Sequence, residues 1–195
     1  MKKYNPDFHH RQSLRLKNYD YAQAGLYFIT ICVNKHQCMF GNIIEGNMRL
    51  NEIGAIVCNE WFKTAELRSN VQLHNFVVMP NHFHGILEIT DMDVVHCVDV
   101  AHRRGVARNA PTTTERTETK NEYMSSISPK AGEMGAIIRA FKSAVTKNIR
   151  LAGFDFRWQR NLYEHIIRDN VDYDRIDNYI ASNPVRWKKD IFFST

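Results

Sequence analysis

The sequence predicts an α+β fold, an antiparallel sheet with helices packed on one of its faces. Three observations carry that prediction. Short apolar runs rich in β-branched and aromatic residues mark strands, separate stretches of helical period mark helices, and the two kinds interleave along the chain.

Residues 26–33, LYFITICV, form the first such run and read as a buried strand. A second strand is expected around 39–44, with the Glu45-Gly46-Asn47 turn leading into 48–50. Asn51 stands where a helix N-cap belongs and Glu52 follows in the first turn. Ile53, Ile56, Val57, Trp61 and Thr64 keep helical spacing, so 52–67 is predicted as an amphipathic helix. Residues 76–79 and 83–89 are further strand-like runs separated by the Pro80-Asn81 turn signal, so 74–89 reads as a hairpin. Helical period returns from Met134 through Ile137, Ile138, Phe141, Val145 and Ile149. Residues 154–162 read as irregular or a short strand. A last helix is expected to start near Asp169 or Asn170 and to stop before Pro184. The predicted order is β, β, α, β, β, a loop, α, α.

A chain of 195 residues suits one domain spanning 1–195, long enough to bury a core without disulfides. Residues 1–22 form a basic, polar arm that holds Arg11, Arg15 and Lys17. Residues 91–130 are polar, without lasting periodicity, and are expected to be a mobile insertion. The four cysteines show neither a CxxC pair nor zinc-like spacing, which points to reduced thiols. No apolar run approaches the ~18 residues of a membrane span. A cytoplasmic, nucleoid-associated protein is therefore expected.

A net charge of +5 favours polyanionic partners. The helix beginning at Met134 carries Arg139, Lys142, Lys147 and Arg150 opposite its apolar stripe, as a solvated face or a phosphate grip. Trp158, with Arg160 close by, fits either core packing or stacking on a strand of DNA.

The residues that carry chemistry begin with His82-Phe83-His84. Alternation along a strand turns both imidazoles to one face and Phe83 to the other, which leaves a histidine pair that a divalent ion can bridge. The last helix offers Tyr179 and Asn183, four residues apart and so on one face. Asn183 can supply an amide oxygen to a metal or cap the helix ahead of Pro184, and Tyr179 can be a nucleophile or a core aromatic. A phenol, with a pKa of roughly 10, is a poor nucleophile near neutral pH unless a cation stabilises the charge that develops on its target.

Here a resemblance becomes specific. VVMPNHFHGIL (77–87) resembles the HUH segment of single-tyrosine transposases. WQRNLYEHIIRD (158–169), continuing through YDRIDNYIASNPVRW (173–187), resembles the REP-associated tyrosine transposases, relatives of the small insertion-sequence transposases that work on single-stranded DNA. The resemblance runs from YDYAQAGLYFIT (19–30) to Trp187, residues 91–130 excepted. It implies the HUH endonuclease fold, with an RRM-like, ferredoxin-like sheet. It also implies Mg²⁺ or Mn²⁺ on His82 and His84, Tyr179 as nucleophile, and Asn183 as third ligand where some relatives have glutamine. The implied substrate is single-stranded DNA beside imperfect palindromes that fold into hairpins, cut to a 5′-phosphotyrosine and a free 3′-hydroxyl. Insertion-sequence relatives are dimers that swap the tyrosine helix and REP-associated ones tend to be monomers, so monomer and homodimer both stand.

Tyr163 and Tyr173 compete for the nucleophile's role. Tyr173 lies about 240° round the helix from Tyr179 and reads as core with Ile176 and Ile180; Tyr163 has no polar ligand one turn on. His165 is a structural histidine or a neighbour of the site. Two other functions compete: a transposase-derived protein that binds hairpin DNA without cutting it, and an unrelated hydrolase using the two histidines and a bound water.

Overall fold

The computed structural model describes residues 23–90 and 133–193. The arm at 1–22, with Arg11, Arg15 and Lys17, and the insertion at 91–130 lie outside the described residues. The elements are β1 (Gly25–Cys32), β2 (Gly41–Ile44), β3 (Asn47–Leu50), α1 (Glu52–Glu66), β4 (Val71–Val78), β5 (His82–Ile89), α2 (Met134–Leu151), β6 (Tyr163–Ile167) and α3 (Asn170–Ser182).

Four strands form an antiparallel sheet in the order β4-β5-β1-β6, and β2 and β3 form a separate hairpin. With that hairpin set aside, the chain runs βαββαβ, and the sheet order is that of a ferredoxin-like fold. This is the predicted α+β class. The β2–β3 turn places Glu45 at φ 50° and Gly46 at φ 76°, the left-handed pair that a two-residue hairpin turn requires.

Helix α1 starts where expected because the Asn51 side chain accepts a hydrogen bond of 2.9 Å from Gly54 N–H. A Cβ on Gly54 would lie 2.1 Å from the Phe40 carbonyl oxygen, so only glycine lets the first turn approach that closely. The stripe on α2 is buried as predicted, and α1 and α2 cover one face of the sheet together. Trp61 meets Phe83 and Phe141 edge-on at 4.8 and 5.2 Å. Tyr27, Ile29, Ile31, Phe83 and Leu87 point into this main core.

Alternation sends Phe28 and Ile86 to the other face, where they bury with Ile167, Ile176 and Ile180. Helix α3 therefore lies across the sheet from α1 and α2. The helices occupy both faces and not the single face expected, because alternation leaves Phe28 and Ile86 as an apolar patch that α3 covers. The bulge between Leu73 and Phe76 in β4 helps to seat it, since His74 bridges the Tyr173 hydroxyl at 3.1 Å and Glu88 at 2.8 Å.

β6 is an element that the sequence reading lacks. It pairs with β1 from Leu26↔Ile167 to Thr30↔Tyr163 and closes one edge of the sheet. Its sequence, YEHII, carries two polar residues in five, and its partner strand lies far upstream. Among the described residues no helix is long and apolar enough to cross a membrane.

Candidate metal and nucleophile site

The site grows out of the β4–β5 turn. β5 pairs with β1 so that His82 sits opposite Cys32 and His84 opposite Thr30. Both histidines face α3, and both are buried.

Asn81 fixes the first of them. Its Nδ2 donates to the carbonyls of His36 (3.0 Å) and Phe192 (2.7 Å), which turns its Oδ1 toward His82 Nδ1 at 2.8 Å. With a carbonyl oxygen as its partner, Nδ1 carries the proton and Nε2 keeps its lone pair. That Nε2 is buried and has no hydrogen-bond partner. His84 Nδ1 sits 2.7 Å from Thr30 Oγ1, and its Nε2 faces the Tyr179 hydroxyl at 3.3 Å. The two imidazole centroids are 4.5 Å apart.

Burial sets the charge state. It pushes the His82 pKa down to about 2, helped by His84 and His36, and pushes His84 down to about 3. Both rings are therefore neutral, the form that ligates metals. A stability consequence follows for protein stripped of divalent ions. Above pH ~6.5 neither the folded nor the unfolded chain protonates these rings, and they contribute no pH dependence. Below it the unfolded chain takes up protons that the folded one refuses. Each histidine then removes up to about 1.4 kcal/mol per pH unit, down toward the folded values of about 2 for His82 and about 3 for His84. Urea midpoints in EDTA should fall steeply between pH 6.5 and 5; a flat profile would mean the rings are solvated.

Tyr179 and Asn183 arrive from α3. Tyr179 is 37% exposed, and its pKa is raised by burial and by Asp190, against a hydrogen bond with Asn183 that lowers it. Its phenol is protonated at neutral pH. Asn183 occupies the C-cap position, as one of its two readings had it, yet its side-chain oxygen is buried without a partner.

Asp190 is a site residue that sequence spacing does not find. It follows the 3-10 turn Trp187–Lys189, and its carboxylate oxygen and a nitrogen from each of His82 and His84 all lie within 4.8 Å of one another. Tyr179, Asn183 and Asp190 line one cavity of about 660 Å³, with Arg186 and Lys189 beside them. Buried lone pairs without donors cost about 1–3 kcal/mol each. The orphaned His82 Nε2 and Asn183 Oδ1, next to a carboxylate, fit a divalent cation.

The DNA-contact candidates among the described residues also converge. Arg139, Lys142, Trp158 and Arg160 line a groove of about 950 Å³ together with Lys147 and Arg157. Trp158 is largely packed: its Nε1 donates to the Lys142 carbonyl at 3.1 Å, and its ring meets Phe156 edge-on at 4.9 Å. Lys142 is half-buried, donates to the Gln159 carbonyl at 2.9 Å, and has its pKa lowered by desolvation. Tyr173 turns away to His74, as its position on the helix predicts. His165 has a structural partner, Asp172, at 2.6 Å.

No family model matches the sequence. A Haemophilus influenzae protein, described only as uncharacterized, is 40% identical over 192 residues, 96% of each chain. Among solved structures, a REP-associated tyrosine transposase bound to a REP hairpin superposes with a TM-score of 0.55 at 18% identity, covering 90% of this chain and 74% of that one. The chain thus belongs to one family with the Haemophilus influenzae protein, and its fold is that of a REP-associated tyrosine transposase.

Proposed function

We propose that the protein, read as one HUH transposase domain, cuts and transfers single-stranded DNA beside hairpin-forming repeats, with Tyr179 as nucleophile. The observation that carries this reading is the phenol of α3 standing 3.3 Å from His84 Nε2, beside the orphaned imidazole nitrogen of His82. The Tyr179 oxygen forms a bond to phosphorus, the bond from phosphorus to the 3′ oxygen breaks, and the phenolic proton is balanced by the one that the departing 3′ oxygen gains. The products are a 5′-phosphotyrosine and a free 3′-hydroxyl, so the bond energy is kept for a second transfer.

His82, His84 and Asn183 are the proposed ligands of Mg²⁺ or Mn²⁺, and Asp190 joins them on the strength of its position. The ion supplies electrostatic stabilisation to the phosphodiester as charge builds on it. Asn81 and Thr30 hold the two imidazoles in the orientation that ligation needs.

The protein is expected to form an SDS-resistant adduct with a hairpin oligonucleotide bearing a single-stranded flank, in Mn²⁺ or Mg²⁺ and not in EDTA. If hairpins from the repeats of its own genome bind yet never give an adduct, the non-cutting binder is the correct reading.

The cationic groove of α2 is the proposed grip on phosphates, with Arg11, Arg15 and Lys17 of the arm as further contacts. Hairpin affinity should then fall steeply with salt, because each neutralised phosphate releases counterions. Arg139→Ala combined with Arg160→Ala should flatten the log–log salt slope by about two. An unchanged slope in fluorescence anisotropy would place the phosphate contacts elsewhere.

A further inference from the structure

Tyr179 lines a second, smaller cavity of about 300 Å³, which it shares with Phe28, Tyr163, His165 and Arg175. We infer that this cavity takes one unpaired nucleobase of the strand being cut, so that the protein itself reads a base next to the scissile phosphate. The place of that base next to the scissile phosphate rests on Tyr179 being the nucleophile, whereas the capture of a base does not.

The lining has the composition that a planar, polar-edged ring requires. Phe28 is buried in the sheet and forms an apolar floor. Tyr163 and Tyr179 both meet it edge-on, with centroids at 6.3 Å and 6.2 Å and interplanar angles of 69° and 88°. Tyr163 is 56% exposed, an aromatic on a strand whose ring the core does not claim. Base–aromatic stacking is the general use of such rings in single-strand binding.

The polar groups are held rather than loose. Asp172 accepts from His165 Nε2 at 2.6 Å and pairs with Arg175 through its other oxygen. One carboxylate thereby fixes both side chains that reach the cavity, and the two partners hold its pKa below the usual carboxylate range. Fixed polar groups at the edge of an apolar slot are how small planar ligands are oriented. The volume lies at the lower end of small-molecule sites, ~300–1,000 Å³, which suits a single everted base. Because the same phenol borders this cavity and the Asn183–Asp190 cavity, a base held here belongs to a nucleotide adjoining the attacked phosphate.

The test uses the full chain and hairpin oligonucleotides in which 2-aminopurine replaces one flank position at a time. In the Tyr179→Phe protein, which binds without cutting, 2-aminopurine at one position should be quenched several-fold on binding. Tyr163→Ala added to that background should relieve the quenching and weaken flank-dependent affinity on the order of tenfold, while Tyr163→Phe should preserve both. An abasic residue at that position should slow adduct formation by the wild-type protein to a similar degree. No quenched position, or quenching indifferent to Tyr163→Ala, overturns the pocket. Equal adduct rates on abasic and ordinary strands also overturn it and leave the nuclease reading intact. Quenching that depends on Tyr163, with no adduct on any strand, supports the pocket and removes the nuclease reading alone.

Discussion

Tyr179→Phe is expected to abolish the covalent adduct, lowering its rate by at least roughly a thousandfold, while hairpin affinity and folding stay close to wild type. Phenylalanine keeps the ring that packs edge-on against Phe28 at 6.2 Å and loses only the hydroxyl. That hydroxyl makes hydrogen bonds to His84 and Asn183, each of a kind worth about 0.5–1.5 kcal/mol to stability, so the fold survives its removal. The chemistry does not survive, because the other phenol of α3, that of Tyr173, is turned away from the imidazole pair to His74. Denaturing gels of labelled oligonucleotide measure the adduct, and anisotropy measures binding. Should the adduct persist, Tyr163 is the residue to substitute next, since it borders a cavity with Tyr179.

His84→Gln is expected to cost the protein its metal affinity, on the order of a hundredfold or more, and its nicking activity with it. Loss of a metal ligand's outer-shell partner alone typically costs 10–100-fold, and His84 is assigned to the inner shell. Glutamine retains much of the volume and a polar end for Thr30, so the variant tests ligation rather than folding. Wild-type protein should gain about 2.7 kcal/mol of stability at a Mn²⁺ concentration a hundred times the dissociation constant, and the variant should gain little. Calorimetric titration with Mn²⁺ and thermal melts with and without it check this independently of cutting. Asp190→Asn and Asn183→Ala in the same titration separate the contributions of the two oxygen donors. An undiminished Mn²⁺ affinity in His84→Gln would remove the proposed centre.

The parts of this arrangement that sequence can reveal are those written in local period. His82 and His84 share a face because a strand alternates, and Tyr179 and Asn183 share one because a helix turns; both pairs are legible from spacing alone. The caps at Asn51 and Asp169 are legible for the same reason, each being a side-chain oxygen within reach of an N–H three residues on. β6 is not, because an edge strand of five residues with Glu164 and His165 inside it has too little pattern to stand out. Asp190 is not, because its place beside the histidines depends on the 3-10 turn after Pro184 and on where α3 docks. Trp158 shows the limit from the other side: indole chemistry suits a base or a core equally, and its hydrogen bond to the Lys142 carbonyl, which favours the core, joins segments that no local period relates.

The sheet divides the labour of the molecule unequally. Among the described residues, twenty buried side chains hold the layer beneath α1 and α2 together, whereas five make up the cluster under α3. Detaching that last helix would wet the smaller of the two clusters. Local opening is cheapest where fewest apolar groups must be wetted. The residue proposed to carry a covalently bound strand thus rides on the described helix that buries the fewest apolar side chains, and amide exchange in α3 is expected to outpace that in α1 and α2.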